Sequence, residues 1–161
     1  MTLMNLLVAF SRTGCVGPLH CGMPLAEAEG ILGQGRPHPA IRMMGSDIDG
    51  YPYSWGDLDL VVTRRSVSGI WIRLQAGSVA ELPAIVLPDS NSHSATVRRD
   101  ELIAALDAAE CEHAIEPNLT FGRQSSIRTR PADVCAVFFP RDKESHVPGG
   151  LCLGVIHKHV A

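Results

Sequence analysis

Leu58-Asp59-Leu60-Val61-Val62-Thr63-Arg64-Arg65-Ser66-Val67-Ser68-Gly69-Ile70-Trp71-Ile72-Arg73-Leu74 carries two runs of period-two alternation around a polar centre. Leu58, Leu60 and Val62 alternate with Asp57, Asp59 and Val61, which is the pattern of a strand with one buried face. After the polar turn at Thr63-Arg64-Arg65-Ser66, Ile70, Ile72 and Leu74 alternate with Gly69, Trp71 and Arg73. The two runs predict a β-hairpin. If the aliphatic set faces a core, the pleat sends Asp57, Asp59, Val67, Trp71 and Arg73 to the other face, with Tyr51, Tyr53 and Trp55 just upstream.

Working outward, Leu3, Leu6, Leu7 and Phe10 recur at helical spacing and predict a short N-terminal helix ended by Gly14 and Gly17-Pro18. Pro24 suits a first helical position, where its missing amide proton costs nothing. Leu25, Ala28, Ile31 and Leu32 form one apolar stripe behind it, and Gly33 is expected to supply a left-handed cap. Residues 34–49 read as a loop or irregular edge, and 75–96, with Pro83, Pro88 and a polar run at 89–92, as a crossing segment.

Leu102, Ile103, Leu106 and Ala109 predict a third helix reaching towards Ala114, with Thr96 as N-cap and Pro117 as outer limit. A strand is expected at 119–121. Two more are expected at 134–139 and 151–160, around a loop at 140–150.

Helix followed by paired strands thus occurs twice. The expected fold is α+β: one antiparallel sheet with helices packed on one face, built from a tandem helix-plus-β-hairpin unit. The whole of 1–161 is read as a single domain, with pseudo-repeats at 14–76 and 95–161 joined by a linker at 77–94.

Composition narrows the function. The chain has 161 residues, 45% of them apolar and 19% charged, which suits a globular domain and not a disordered one. A formal charge of -3 lacks the basic footprint of a general nucleic-acid binder. No apolar run approaches the roughly 20 residues of a membrane span. The five cysteines, Cys15, Cys21, Cys111, Cys135 and Cys152, lack CxxC spacing, and residues 1–10 lack a basic leader. Reduced thiols in a cytoplasmic protein are expected.

No motif assigns catalytic residues. Asp57 and Asp59 lie two apart on a strand, where two carboxylates can share a cation or discourage edge pairing. Cys111-Glu112-His113 and His157-Lys158-His159 lack zinc-finger spacing, so neither a metal nor another cofactor is expected. His20 and Cys21 are adjacent and point apart on an extended chain. No triad order stands out, and the glycines at 14–17 and 149–150 are turns without the form of a phosphate loop.

Trp71, Arg73, Asp57 and Asp59, with Trp55 and Tyr53, are the candidate partner-binding residues. Trp, Tyr and Arg bury much area at modest entropic cost while keeping a polar handle.

The stretch Gly22-Met23-Pro24-Leu25 to Gly33, with Trp55-Gly56-Asp57-Leu58-Asp59-Leu60 and Val67-Ser68-Gly69-Ile70-Trp71-Ile72, resembles a pattern in small actinobacterial proteins of unassigned function. The helix-plus-hairpin unit is also similar to that of the beta-lactamase inhibitor proteins, which contain it twice, and of small outer-membrane assembly lipoproteins. The resemblance covers most of the chain as architecture. It implies an aromatic-rich concave sheet face that grips a target enzyme. The cysteine pattern and the missing leader point to a cytosolic cousin, similar to the immunity proteins that neutralise a cognate toxin.

The expected function is therefore non-enzymatic: a module that blocks a protein partner, a toxin or an enzyme, and binds neither nucleic acid nor membrane. An alternative is a small-molecule-binding domain or small enzyme, with a pocket between sheet and helices fed by His20, Cys111, His113 or His157. A third reading pairs the free sheet face with itself in a homodimer.

Overall fold

The computed structural model describes residues 1–141 and 150–160, so most of the loop expected at 140–150 lies outside the described residues. Among these, four α-helices accompany eight strands in one antiparallel sheet, an α+β fold. The helices are α1 (Leu3–Thr13), α2 (Leu25–Leu32), α3 (Pro39–Met44) and α4 (Arg99–Ala108). The strands are β1 (Arg36–Pro37), β2 (Tyr51–Trp55), β3 (Leu58–Thr63), β4 (Ser66–Arg73), β5 (Glu112–Ile115), β6 (Ser125–Arg130), β7 (Cys135–Pro140) and β8 (Leu151–His159). Their spatial order is β1-β2-β3-β4-β8-β7-β6-β5. Each half of the chain contributes a four-stranded meander, and the meanders join along β4 and β8 at the centre of the sheet.

The hairpin expected at 58–74 forms as β3 and β4, with Arg64 and Arg65 both at positive φ in the tight turn. Such a turn matches the right-handed twist of the strands it joins. Leu58, Leu60, Ile70 and Ile72 are buried and belong to one cluster with Leu6, Leu7 and Phe10 of α1, Ala28 of α2, and Leu102 and Leu106 of α4. The same cluster takes Ile127, Ala136, Phe138 and Ile156 from the second meander. α1, α2 and α4 thus cover one face of the sheet, while α3 follows the short edge strand β1. α1 begins at Thr2, whose hydroxyl accepts from Asn5 N, and ends at Gly14 with φ 73°.

Register departs from simple alternation at two equivalent places. In β3 and β4, Asp59, Leu60 and Val61 face Trp71, Ile70 and Gly69, and then Val62 faces Val67, leaving Ser68 unpaired. In β7 and β8, Cys135, Ala136 and Val137 face His157, Ile156 and Val155, and then Phe138 faces Leu153, leaving Gly154 unpaired. Each extra residue is a β-bulge, which reverses the facing of everything beyond it. Val67, expected opposite the core, is therefore 1% exposed within it.

Other expectations need correction. The helix foreseen towards Ala114 stops at Ala108; the chain turns at Glu110, with φ 54°, and 112–115 become the edge strand β5. Arg98, not Thr96, occupies the N-cap position, and the Thr96 hydroxyl accepts from Gly77 N. Residues 117–119 form a 3-10 turn, and the strand in that region is β6. Gly33 ends α2 with φ 82° and ψ -177°, outside the left-handed helical region. Ala80, Leu82, Val86 and Leu87 of the linker 77–94 lie in the core cluster.

Candidate functional site

One transverse row of side chains crosses every strand on the face opposite α1, α2 and α4. Reading the registers in sequence, Arg36 faces Ser54, Ser54 faces Asp59, Asp59 faces Trp71 and Trp71 faces His157. His157 then faces Cys135, Cys135 faces Arg128 and Arg128 faces Ala114. At the usual spacing of hydrogen-bonded strands the row spans about 34 Å.

Its centre lies on β4 and β8. The Trp71 and His157 rings stack with centroids 4.6 Å apart and planes 19° apart. The Arg73 guanidinium lies 5.8 Å from the Trp71 ring centre, in cation–π range. Arg73 Nη2 also donates to Asp59 Oδ2 at 2.9 Å, while the Ser54 hydroxyl donates to Asp59 Oδ1 at 2.6 Å. Both oxygens of Asp59 are thus engaged. A Cβ at Gly69 would lie 2.9 Å from His159 Nδ1 and 3.3 Å from Trp71 Nε1, so glycine there lets both rings close on the backbone. Trp71 Nε1 is buried and has no hydrogen-bond partner among the described residues.

Burial holds the His157 pKa below its ordinary value, and the charges of Arg128 and His159 add to that effect. Burial pushes the Cys135 thiol up to about 11, so it is unreactive at neutral pH. On β6, Arg128 donates through Nε to Glu116 Oε2 at 2.6 Å and through Nη1 to Asp133 Oδ1 at 3.0 Å. The Arg128 hydrogen bond holds the Glu116 carboxyl below its usual range.

Asp57 occupies the two-residue turn before β3. It donates through N to Glu81 O, and its Oδ2 accepts from Glu81 N, both at 2.7 Å. Burial raises its pKa. Asp57 and Asp59 line the same cavity of about 360 Å³ beside Arg73.

Trp71, Arg73, Asp57 and Asp59 therefore come together, whereas Trp55 and Tyr53 do not join them. Trp55 faces Leu58 and Tyr53 faces Leu60, which sets both on the helix-covered side. Trp55 packs against the core and donates through Nε1 to Gly33 O at 3.1 Å. Period two counted from β3 back into β2 fails across a turn, because partners across a hairpin share a face.

The residues proposed for a pocket between sheet and helices are scattered. His157 lies on the helix-free face, and His113 Nε2 meets Asp107 Oδ1 of α4 at 2.8 Å. Cys111 is buried at the start of β5, and His20 Nδ1 lies 3.1 Å from Cys21 O. Among the described residues no group of three or more His, Cys, Asp or Glu could hold a metal ion. Among the described residues no helix is long and apolar enough to cross a membrane.

His157, Arg128 and Arg36 also belong to the row and were not among the partner-binding residues expected from sequence. The alternation of Val155, His157 and His159 in β8 carried a signal for the first; the polar sequence of β6 and the brevity of β1 hid the others. No protein-family model, curated protein or solved structure matches this chain.

Proposed function

We propose that this protein is a non-enzymatic binding module, an immunity protein or inhibitor that lays its helix-free sheet face over a partner enzyme or toxin. The observation that carries the reading is the stack of Trp71 on His157, flanked by Arg73, at the seam of the two meanders. Trp and Arg at the centre of a face are the residue types that dominate binding energy when desolvated. Both oxygens of Asp59 are engaged, and among the described residues His20, Cys111 and His113 lie apart from that face.

We further infer that the two halves arose by duplication. The identical placement of the bulges at Ser68 and Gly154, three residues before Trp71 and His157, supports this. All five cysteines are free, and three of them are buried, in keeping with a reducing, cytoplasmic setting.

The test begins with the product of the neighbouring gene or a protein captured from the host, purified and titrated calorimetrically. Trp71→Ala is expected to weaken the complex by about 2 kcal/mol or more, with the far-UV spectrum unchanged. Wild-type affinity in that variant removes Trp71 from the centre of the interface.

A further inference from the structure

The row ends at β1 in a cavity of about 360 Å³, lined by Arg36, His38, Arg42, Asp57, Asp59 and Arg73 among others. We propose that this cavity receives a carboxylate side chain, Asp or Glu, presented by the partner protein. The proposal rests on the reading of this face as a protein-binding surface and adds the chemistry of what it binds.

Charge and unused hydrogen-bonding capacity decide the sign of the ligand. Three guanidinium groups line the cavity against two carboxylates, and each carboxylate already accepts a hydrogen bond. Asp59 accepts from Ser54 and Arg73, and Asp57 Oδ2 accepts from Glu81 N. Arg36 and Arg42 are exposed and make no ion pair among the described residues. Their donors are therefore available, and a guanidinium fork matches a carboxylate in two parallel hydrogen bonds.

His38 adds to the donor side. Its Nδ1 accepts from Ala40 N at 3.1 Å, so the proton of the neutral ring resides on Nε2. Pro37 and Pro39 flank His38 and stiffen that wall. The volume lies near the lower end of small-ligand sites, roughly 300 Å³, which suits a single side chain with water better than a cofactor. Arg73 lines the cavity and Asp59, also in its lining, faces Trp71 in register, so an acidic residue seated there lies beside the proposed centre of the interface.

The experiment uses the full-length protein and two probe peptides, acetyl-Gly-Glu-Gly-amide and its Gln counterpart, with inorganic phosphate as a third probe. Binding is followed by NMR at the arginine Nε–H signals and at backbone amides of 36–42. The Glu peptide is expected to shift the Arg36, Arg42 and Arg73 signals saturably at millimolar concentration, and the Gln peptide to bind about tenfold more weakly or not at all. Arg36→Gln combined with Arg42→Gln is expected to weaken the Glu peptide by about tenfold without altering the thermal melt, and Trp71→Ala to leave that binding in place.

Equal shifts with both peptides, or unchanged binding in the double variant, overturn the carboxylate site. Phosphate saturating at lower concentration than the Glu peptide overturns it in favour of a free-anion site. Absence of peptide binding while Trp71→Ala still weakens the partner complex removes the cavity alone. Peptide binding with a partner complex indifferent to Trp71→Ala sinks the reading of the face, and with it the assignment of the carboxylate to that partner.

Discussion

Trp71 and His157 illustrate how a single ring pair joins packing to protonation. A protonated imidazole inside this stack would sit beside Arg128 and His159 with little water to solvate it, so the folded chain favours the neutral ring. Because the folded pKa is depressed below the unfolded one, the stability it contributes is present above the ordinary histidine value of about 6.5. That stability is lost as pH falls through the folded value. An imidazolium stacked on an indole quenches its emission. In a Trp55→Phe background, where only Trp71 emits, fluorescence should therefore drop on acidification with a midpoint below about 6.5. His157→Gln should abolish the step. A midpoint at or above the ordinary value would show that the ring is not desolvated in the fold.

Among the elements, the turn between β2 and β3 has the least freedom. Gly56 has φ 62°, and a Cβ there would come within 2.2 Å of Glu81 O, a backbone atom that already accepts from Asp57 N. Gly56→Ala must strain the turn or break the Asp57–Glu81 pairing that holds the crossing segment against the sheet. Its expected cost is about 1–3 kcal/mol, read as a lowered midpoint in chemical denaturation. Gly30 of α2, where a Cβ meets nothing within 4 Å, serves as the control: Gly30→Ala should leave stability unchanged or raise it. Elements of this kind also set what could be read in advance. β3, β4, β7 and β8 were legible because burial imposes period two, or a continuous apolar run, on their sequences. β6 was not, since Ser125-Ser126-Ile127-Arg128-Thr129-Arg130 buries Ser126 and Thr129 through hydrogen bonds in place of apolar contact. β5 escaped because Ala109 and Ala114 extend the helical stripe of α4 in spacing alone, while the turn at Glu110 depends on a positive φ that no local pattern announces. Trp71 could be placed on its face from the alternation, but Val67 could not, because the bulge at Ser68 is a property of two strands and not of one.

At the scale of the whole molecule, the seam between β4 and β8 and the core behind it make each half the support of the other. Leu106 of α4 is fully buried in the same cluster as Leu60 and Ile70, although it belongs to the second half of the chain. Both tryptophans, Trp55 and Trp71, belong to the first half. A cavity cut at Leu106 should therefore be felt where the tryptophans report. Leu106→Ala is expected to destabilise the fold by about 2–5 kcal/mol through lost burial and the void left behind. Denaturation followed by tryptophan emission and by far-UV circular dichroism should shift together, in one transition with a common midpoint, as two-state unfolding requires. If the halves were separate folding units, emission would keep its wild-type midpoint while circular dichroism split into two steps. Coincident shifts would instead mean that the row across the helix-free face is held rigid by both meanders, and that Trp71, His157 and the arginine-lined cavity form a preorganised surface whose binding avoids the cost of assembling it.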